Sequence, residues 1–154
     1  MSTDSAAAGH YYANPTNKFW QLLAATKLHK GHVLGSSLDT RLPSLGIGLT
    51  DLVKTRAASS DARLKKGDYD VAGFLRRIEA AAPQVVAFNG SPAADKVSRF
   101  LGHGASVEGS SRWRIGESLV YRLPSSSASA SIGTQRKMAA WRDFGDWVRK
   151  HTAA

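Results

Sequence analysis

The most informative segment of the chain lies near the N-terminus and reads Gly9-His10-Tyr11-Tyr12-Ala13-Asn14-Pro15-Thr16-Asn17-Lys18-Phe19-Trp20. Asn14 and Pro15 form a favourable helix start. An asparagine side chain can accept a hydrogen bond from a backbone N–H of the first turn, and proline lacks only an N–H that would have no partner there. Three apolar residues at helical spacing then form the inner face of the predicted helix: Phe19, Trp20 and Leu23.

Two adjacent tyrosines, Tyr11 and Tyr12, stand just before this helix. Aromatic rings beside the positive end of a helix can stack on a base next to a phosphate site. The same tyrosines are equally compatible with a place in the core, and their spacing leaves both interpretations open. Phe19 and Trp20 are predicted to be core residues, because they fit the helical stripe.

The rest of the chain alternates between helix-like and strand-like patterns, which is typical of an α/β fold with a largely parallel sheet. Helices are predicted from an Asp68 cap to Pro83, from Ser91-Pro92 to a stop at Gly102, and from Thr134 to Lys150. Strands are predicted at 47–53, 84–88 and 118–123, with 105–114 as a candidate edge strand. The expected inner faces of the last two helices are Val97, Phe100 and Leu101, and Met138, Trp141, Phe144 and Val148.

Two of the predicted strands end in polar segments that are candidates for chemistry. The first is Asn89-Gly90, where an amide that both donates and accepts could read the edge of a base; Asn-Gly is also a common plain turn. The second is Leu123-Pro124-Ser125-Ser126-Ser127-Ala128, a tight loop of small residues. That loop is equally compatible with an ordinary low-complexity linker.

Composition narrows the function classes. The 154 residues carry 21 Lys and Arg against 12 Asp and Glu, a net charge of +9. The cations are spread along the chain rather than gathered in one block, which favours a folded basic surface that binds a polyanion such as nucleic acid. The absence of cysteine excludes disulfides, cysteine nucleophiles and thiolate metal sites. Residues 1–5 have neither the basic start nor the apolar stretch of an export signal, so we expect none, and the sequence has no apolar run near 20 residues.

Other motifs are incomplete. The Gly46-x-Gly48 pair lacks the third glycine and the following helix of a dinucleotide loop. His29 and His32 have no third ligand at a metal-binding spacing, so we expect no metal site. The chain has no Gly-x-Ser-x-Gly elbow of a serine hydrolase.

The opening stretch resembles the uracil-DNA glycosylase superfamily, above all its mismatch-specific uracil/thymine branch and the related hypoxanthine-DNA glycosylase branch. Those proteins carry a similar aromatic-Ala-x-Pro-x-Asn-x-Phe-Trp segment, and the match is closest over Asn14-Pro15-Thr16-Asn17-Lys18-Phe19-Trp20. The resemblance extends from Gly9 to about Val148. It implies a three-layer α/β/α domain with a mostly parallel central sheet.

The resemblance also implies roles for residues. The second aromatic of the segment stacks on the flipped base, and it falls on Tyr12, with Tyr11 beside it. The hypoxanthine branch has a similar Phe-Asn-Gly whose asparagine lies in the base pocket, so Asn89 becomes the candidate base-binding and catalytic residue. A Leu-Pro-Ser loop enters the minor groove in the superfamily, which assigns DNA binding to Pro124, Ser125, Ser126 and Ser127. This loop has no bulky wedge residue and would push only weakly at the base pair.

The resemblance extends to a further strand and to a missing motif. The segment Gly46-Ile47-Gly48-Leu49-Thr50-Asp51-Leu52 matches the family's second strand, so Thr50 and Asp51 are lesser candidates. The family's first motif ends a strand before the aromatic segment and supplies an Asn or Asp that positions water. Residues 1–9 contain neither that strand nor that motif. Either the natural chain begins upstream of Met1, which we favour, or this is a short form with altered or lost chemistry.

We therefore expect a single glycosylase-like domain over residues 1–154. The expected activity is that of a monofunctional DNA repair glycosylase, which excises uracil or a related deaminated base by hydrolysis of the N-glycosidic bond without a cofactor. We expect a monomer that binds double- or single-stranded DNA and no membrane, in the cytoplasm or, in a bacterium, at the nucleoid. The alternatives are a non-catalytic DNA-binding relative and an unrelated nucleotide-binding α/β protein.

Overall fold

The computed structural model describes residues 17–30, 42–50, 52, 70–127 and 133–152. In chain order the elements are α1 (Phe19–Ala25), α2 (Val71–Ala81), β1 (Val85–Asn89), α3 (Ser91–Phe100), β2 (Gly109–Ile115), β3 (Ser118–Leu123) and α4 (Thr134–His151). The α/β class is confirmed. The predicted sites at Tyr11, Tyr12, Asn14, Pro15 and Asp51 lie outside the described residues.

The described strands form one three-stranded sheet in the order β1-β3-β2. β1 pairs with β3 in parallel, whereas β2 pairs with β3 antiparallel, as the second arm of a hairpin. Gly116 opens the two-residue turn of that hairpin with a φ of +57°, a conformation that glycine adopts without steric cost. The described sheet is therefore mixed, and the edge strand predicted at 105–114 is confirmed as β2.

Alternate residues of the strands pack into two separate hydrophobic cores, one on each face of the sheet. Val86 and Phe88 of β1 pack against α2 and α3, together with Val120 of β3. Leu123 and the partly buried Val85 face the other way, into a cluster with residues of α1 and α4. Because side chains of a strand alternate between its two faces, helices cover both faces of the sheet.

The helix boundaries follow local capping signals. α1 begins at Phe19, later than the predicted Asn14-Pro15 start, with Lys18 as its N-cap. α2 is capped by Asp70, whose side chain accepts from Gly73 N at 2.9 Å, and not by Asp68 as predicted. It ends in the left-handed Ala82 immediately before Pro83, as expected from the proline. Gly102, with a φ of +83°, terminates α3 where the sequence predicted a stop.

Two predictions about the core and the strands are wrong. Phe100 is 60% exposed. The inward stripe of α3 runs through Ala94, Val97 and Ser98, and position 100 lies outside the i, i+3, i+4, i+7 series that starts at Ala94. Residues 47–50 form no strand; a short apolar run does not by itself distinguish a strand from a packed loop.

None of the described helices is both long and apolar enough to cross a bilayer.

Candidate functional site

The candidate site lies at the carboxyl ends of the two parallel strands. Asn89, the last residue of β1, is paired in register with Leu123, the last residue of β3. The next backbone N–H along β1, that of Gly90, donates to Leu123 O at 2.9 Å. The loops that follow both strands therefore leave the sheet side by side. In open α/β sheets this edge is the usual place for a ligand.

Gly90 allows the two loops to meet. Its φ is +100°, and a Cβ atom built on it would lie 3.0 Å from Ser125 Cβ. Any other residue would be strained here, because it would have to adopt this positive φ and its Cβ would press against Ser125. The turn predicted from Asn-Gly is thus a point of close approach between the end of β1 and the loop Pro124–Ser127, here called the serine loop.

Ser126 joins the serine loop to Asn89 through two hydrogen bonds. Its backbone N–H donates to Asn89 Oδ1 at 2.8 Å, and Asn89 Nδ2 donates to Ser126 Oγ at 2.8 Å. Ser126 is completely buried. The amide predicted to read a base is therefore held in place by the loop predicted to contact DNA.

Ser126 also reaches the segment before α1. Its Oγ donates to Asn17 Oδ1 at 2.7 Å, and its carbonyl oxygen accepts from Lys18 N at 3.0 Å. Asn17 Oδ1 accepts in addition from Phe19 N at 2.9 Å, so its side chain serves the start of the helix. Three motifs that the sequence presents 37 and 109 residues apart thus meet at one serine hydroxyl.

Two side chains of α4 donate hydrogen bonds to the serine loop. Trp141 Nε1 donates to Pro124 O at 3.0 Å, and Lys137 Nζ donates to Ser127 O at 2.9 Å. Lys137 is only 3% exposed, which is unusual for a lysine. Sequence reasoning missed it, although it stands four residues before Trp141 and so on the same inward stripe.

The remaining candidates are placed differently. Thr50 accepts from Arg77 Nε of α2 at 3.2 Å, in an exposed position. The Nδ1 atom of His29 is buried without a hydrogen-bond partner, and His32 lies outside the described residues. Among the residues that the structure describes, no three His, Asp, Glu or Cys side chains form a group that could hold a metal ion.

A second polar network holds α3 against the chain before β2. Asp95 Oδ1 accepts from Ser106 N at 2.7 Å and from the Ser106 hydroxyl, while Arg122 Nη1 donates to Ser106 O at 2.9 Å. Burial alone would raise the pKa of the Asp95 carboxyl. The bonds from Ser106 and the cations Arg122 and Arg99 outweigh it, so that the pKa lies below its ordinary value.

The chain matches both a protein family and a known protein of that kind. A family model described as the Uracil DNA glycosylase superfamily matches residues 2–145. The chain is 30% identical over 156 residues to the "G/U mismatch-specific uracil DNA glycosylase" of Schizosaccharomyces pombe, a match that covers 96% of this chain and 48% of that protein. The chain therefore spans about half the length of this relative. The family match covers nearly the whole chain and includes the three segments that meet at Ser126, and we conclude that the chain belongs to the uracil DNA glycosylase superfamily.

Proposed function

We propose that this protein is a DNA repair glycosylase that removes uracil or a related deaminated base from DNA. The observation that carries the proposal is the meeting of Asn17, Asn89 and the Pro124–Ser127 loop at the carboxyl edge of the parallel strands. Family membership and the name of the fission yeast relative support the same activity. We also propose that the whole domain is a three-layer α/β/α structure with a mostly parallel sheet.

The proposed reaction is hydrolysis of one bond. The damaged nucleotide leaves the base stack, at a cost of a few kcal/mol that is smallest for a mispaired or unpaired base. Water attacks C1′ of the sugar as the C1′–N bond breaks, and the base departs as an anion with the bonding electron pair. The attacking water loses a proton to solvent. The products are the free base and an abasic site.

We assign roles to the candidate residues within that reaction. Tyr12 stacks on the flipped base, with Tyr11 beside it, and Asn89 binds the edge of the base. The loop Pro124–Ser127 faces the DNA, and exposed Lys18, next to Asn17, provides a cation for a phosphate at the rim of the site. We propose that the protein acts on DNA as a monomer.

The proposal is tested with the full chain and oligonucleotides that contain a single uracil, hypoxanthine or xanthine. Treatment with alkali cleaves the strand at each abasic site, so a labelled strand reports excision. We expect cleavage with at least one of these bases and none with the undamaged control strand. The Asn89→Ala variant, measured beside the wild type, should lose most of the activity. Strand cleavage without alkali would contradict a monofunctional enzyme.

One observation favours a second candidate, a DNA-binding relative without catalysis. Both polar atoms of the Asn89 side chain bond to Ser126, so this amide has a structural task in addition to the proposed one. The same oligonucleotides distinguish the two functions. Retained binding with no excision of any of the three bases would establish the non-catalytic alternative.

A further inference from the structure

The chain forms a tightly packed corner where α1 ends, at the far end of this helix from the candidate site. Thr26 is completely buried in this corner. Its hydroxyl donates to Leu23 O at 2.6 Å and accepts from Leu28 N at 3.1 Å. Gly145 of α4 lies directly against it, so closely that a Cβ atom built on this glycine would overlap Thr26 O. The end of α1 and the second half of α4 therefore have a fixed relative position.

Lys27 extends from this corner. Its φ is +60°, in the left-handed region that a lysine rarely adopts. Its backbone N–H donates to Ala24 O at 3.1 Å, and the buried Thr26 precedes it directly. Such a backbone conformation persists only where the surrounding structure enforces it. The corner therefore fixes the point from which the exposed side chain of Lys27 projects.

An open hollow lies beside this corner, against α4. It has a volume of about 470 Å³ and is lined by Lys27, Arg142, Asp146 and Arg149, and we call it the cationic hollow. Arg149 is held in place, because its Nη1 donates to Thr26 O at 2.8 Å and its Nη2 donates to Asp146 Oδ1 at 2.6 Å. Three cations and one carboxylate leave this lining with a net charge of +2.

The carboxylate in this lining is already paired with Arg149. That hydrogen bond, together with the charges of Arg149, Lys150 and Lys27, holds the pKa of the Asp146 carboxyl below its ordinary value. Lys27 and Arg142 are exposed, and neither side chain forms a hydrogen bond or an ion pair with a residue that the structure describes. An anion with several acceptor oxygens, such as a phosphate group, can face both of these cations at once.

The helix α4 connects the cationic hollow to the candidate site. Lys137 near its start donates to Ser127 O of the serine loop, and Arg149 near its end donates to Thr26 O. At 1.5 Å per residue these two contacts lie about 18 Å apart along the helix axis. A DNA strand advances about 3.4 Å along the duplex axis per nucleotide, so about five nucleotides cover this distance. A strand that enters the candidate site can therefore place a backbone phosphate at the hollow.

We propose that the cationic hollow is a second DNA contact, in which Lys27 and Arg142 bind a backbone phosphate about five nucleotides from the damaged base. The proposal rests on the function proposed above for its partner, DNA, but it requires no excision. Phosphate contacts carry no sequence information and fix the position of a protein on the strand. The hollow therefore positions the strand whichever base occupies the site.

The absence of cysteine from the chain permits a direct test. Arg142→Cys places a single thiol at the hollow, and Arg114→Cys places one beside the β2–β3 turn, at the opposite edge of the sheet from the candidate site. Duplexes carry 2′-fluorinated deoxyuridine, which resists hydrolysis, and a disulfide-activated tether on one phosphate about two, five or nine nucleotides away on either side. We expect Arg142→Cys to cross-link most at about five nucleotides, on one side only, and Arg114→Cys to cross-link weakly at every distance.

The salt dependence of binding gives a second measurement without cysteine. The double variant Lys27→Gln, Arg142→Gln removes both unpaired charges and keeps long polar side chains. It should reduce the slope of log binding constant against log salt by about 1, since one phosphate contact is lost. The matched control Arg76→Gln, Arg114→Gln removes two exposed charges elsewhere and should leave the slope unchanged. Thermal unfolding checks that each variant folds.

The outcomes separate this proposal from the proposed activity. If Arg142→Cys cross-links no more than Arg114→Cys, or equally at all distances, the contact is refuted even when the wild type excises uracil. An unchanged salt slope in the double variant refutes it as well. A cross-linking maximum near about five nucleotides in a protein that excises nothing supports the contact and rejects the activity.

Discussion

Replacement of Ser126 by alanine removes one oxygen from the centre of the site and leaves the backbone bonds of the residue in place. Ser126 N can still donate to Asn89 Oδ1, and Ser126 O can still accept from Lys18 N. Only the hydroxyl is lost, with its bonds to Asn89 Nδ2 and Asn17 Oδ1. The substitution therefore measures the link between the three segments.

The structure sets the size of the effect. The lost bond to Asn17 Oδ1 contributes about 1 kcal/mol, and the Asn89 hydrogen that pointed at Oγ loses its acceptor in a part-buried position, which costs about 1–3 kcal/mol. Asn17 Oδ1 keeps its bond from Phe19 N, so it adds little to this penalty. We expect Ser126→Ala to lower the free energy of unfolding by about 2–4 kcal/mol. In a domain of this size each kcal/mol corresponds to about 2–4 °C in the melting temperature.

Equilibrium unfolding in urea measures this loss, with Ser125→Ala as the matched control one residue away. The Ser125 hydroxyl accepts a bond from Ser127 N at 3.1 Å in a half-buried position, so its removal should cost only about 0.5–1 kcal/mol. Equal losses in the two variants would refute the reasoning. The hydroxyl of Ser126 would then contribute no more to stability than a peripheral serine.

Three further predictions concern other parts of the fold. Gly90→Ala should destabilise the protein by about 1–3 kcal/mol in urea unfolding, because φ is +100° and the new Cβ would approach Ser125. Gly116→Ala, with a smaller positive φ and open space, should cost less, and the reverse order would contradict the contact with Ser125. The lowered pKa of Asp95 contributes stability that is fully present above its ordinary value of 3.8 and is lost as the pH falls through the lower folded value. Unfolding at pH 7 and pH 3 should show this loss, and Asp95→Asn should reduce it; an unchanged pH dependence in that variant would exclude Asp95 as its source. Lys18→Ala should reduce the slope of log binding constant against log salt by about 1 for every DNA sequence, whereas an effect on one base alone would exclude a phosphate contact.

The element boundaries that the sequence predicted best are those marked by a proline or a glycine. α2 ends before Pro83, α3 ends before Gly102, and β3 ends before Pro124, each near the predicted residue. Proline and glycine act through their own backbone geometry, which needs no knowledge of the rest of the fold. The two wrong predictions, at Phe100 and in residues 47–50, depended instead on tertiary contacts. Whether an apolar residue is covered depends on which neighbours the chain brings against it.

The same distinction applies to the candidate site. Asn89 and the serine loop could be singled out because each follows a strand, but their contact depends on the parallel pairing of β1 with β3. The helical spacing of Lys137 from Trp141 places it on the inward stripe, but a lysine is rarely buried, and its Nζ is accommodated there by a hydrogen bond to Ser127 O that the local sequence does not show. The function of Asn17 as an acceptor for both Phe19 N and Ser126 Oγ likewise requires a partner 109 residues away.

The burial of the serine loop refines where it can meet DNA. Pro124 and Ser126 are buried and bonded to α4 and to the two asparagines, so they fix the path of the chain. Ser125 and Ser127, on either side of Ser126, are half-buried. Within these four residues, any contact with DNA must therefore be made by Ser125 and Ser127. A loop held at alternate positions presents its other side chains without first being ordered. Because ordering a loop on binding costs free energy, this anchoring would favour the affinity of the site for DNA.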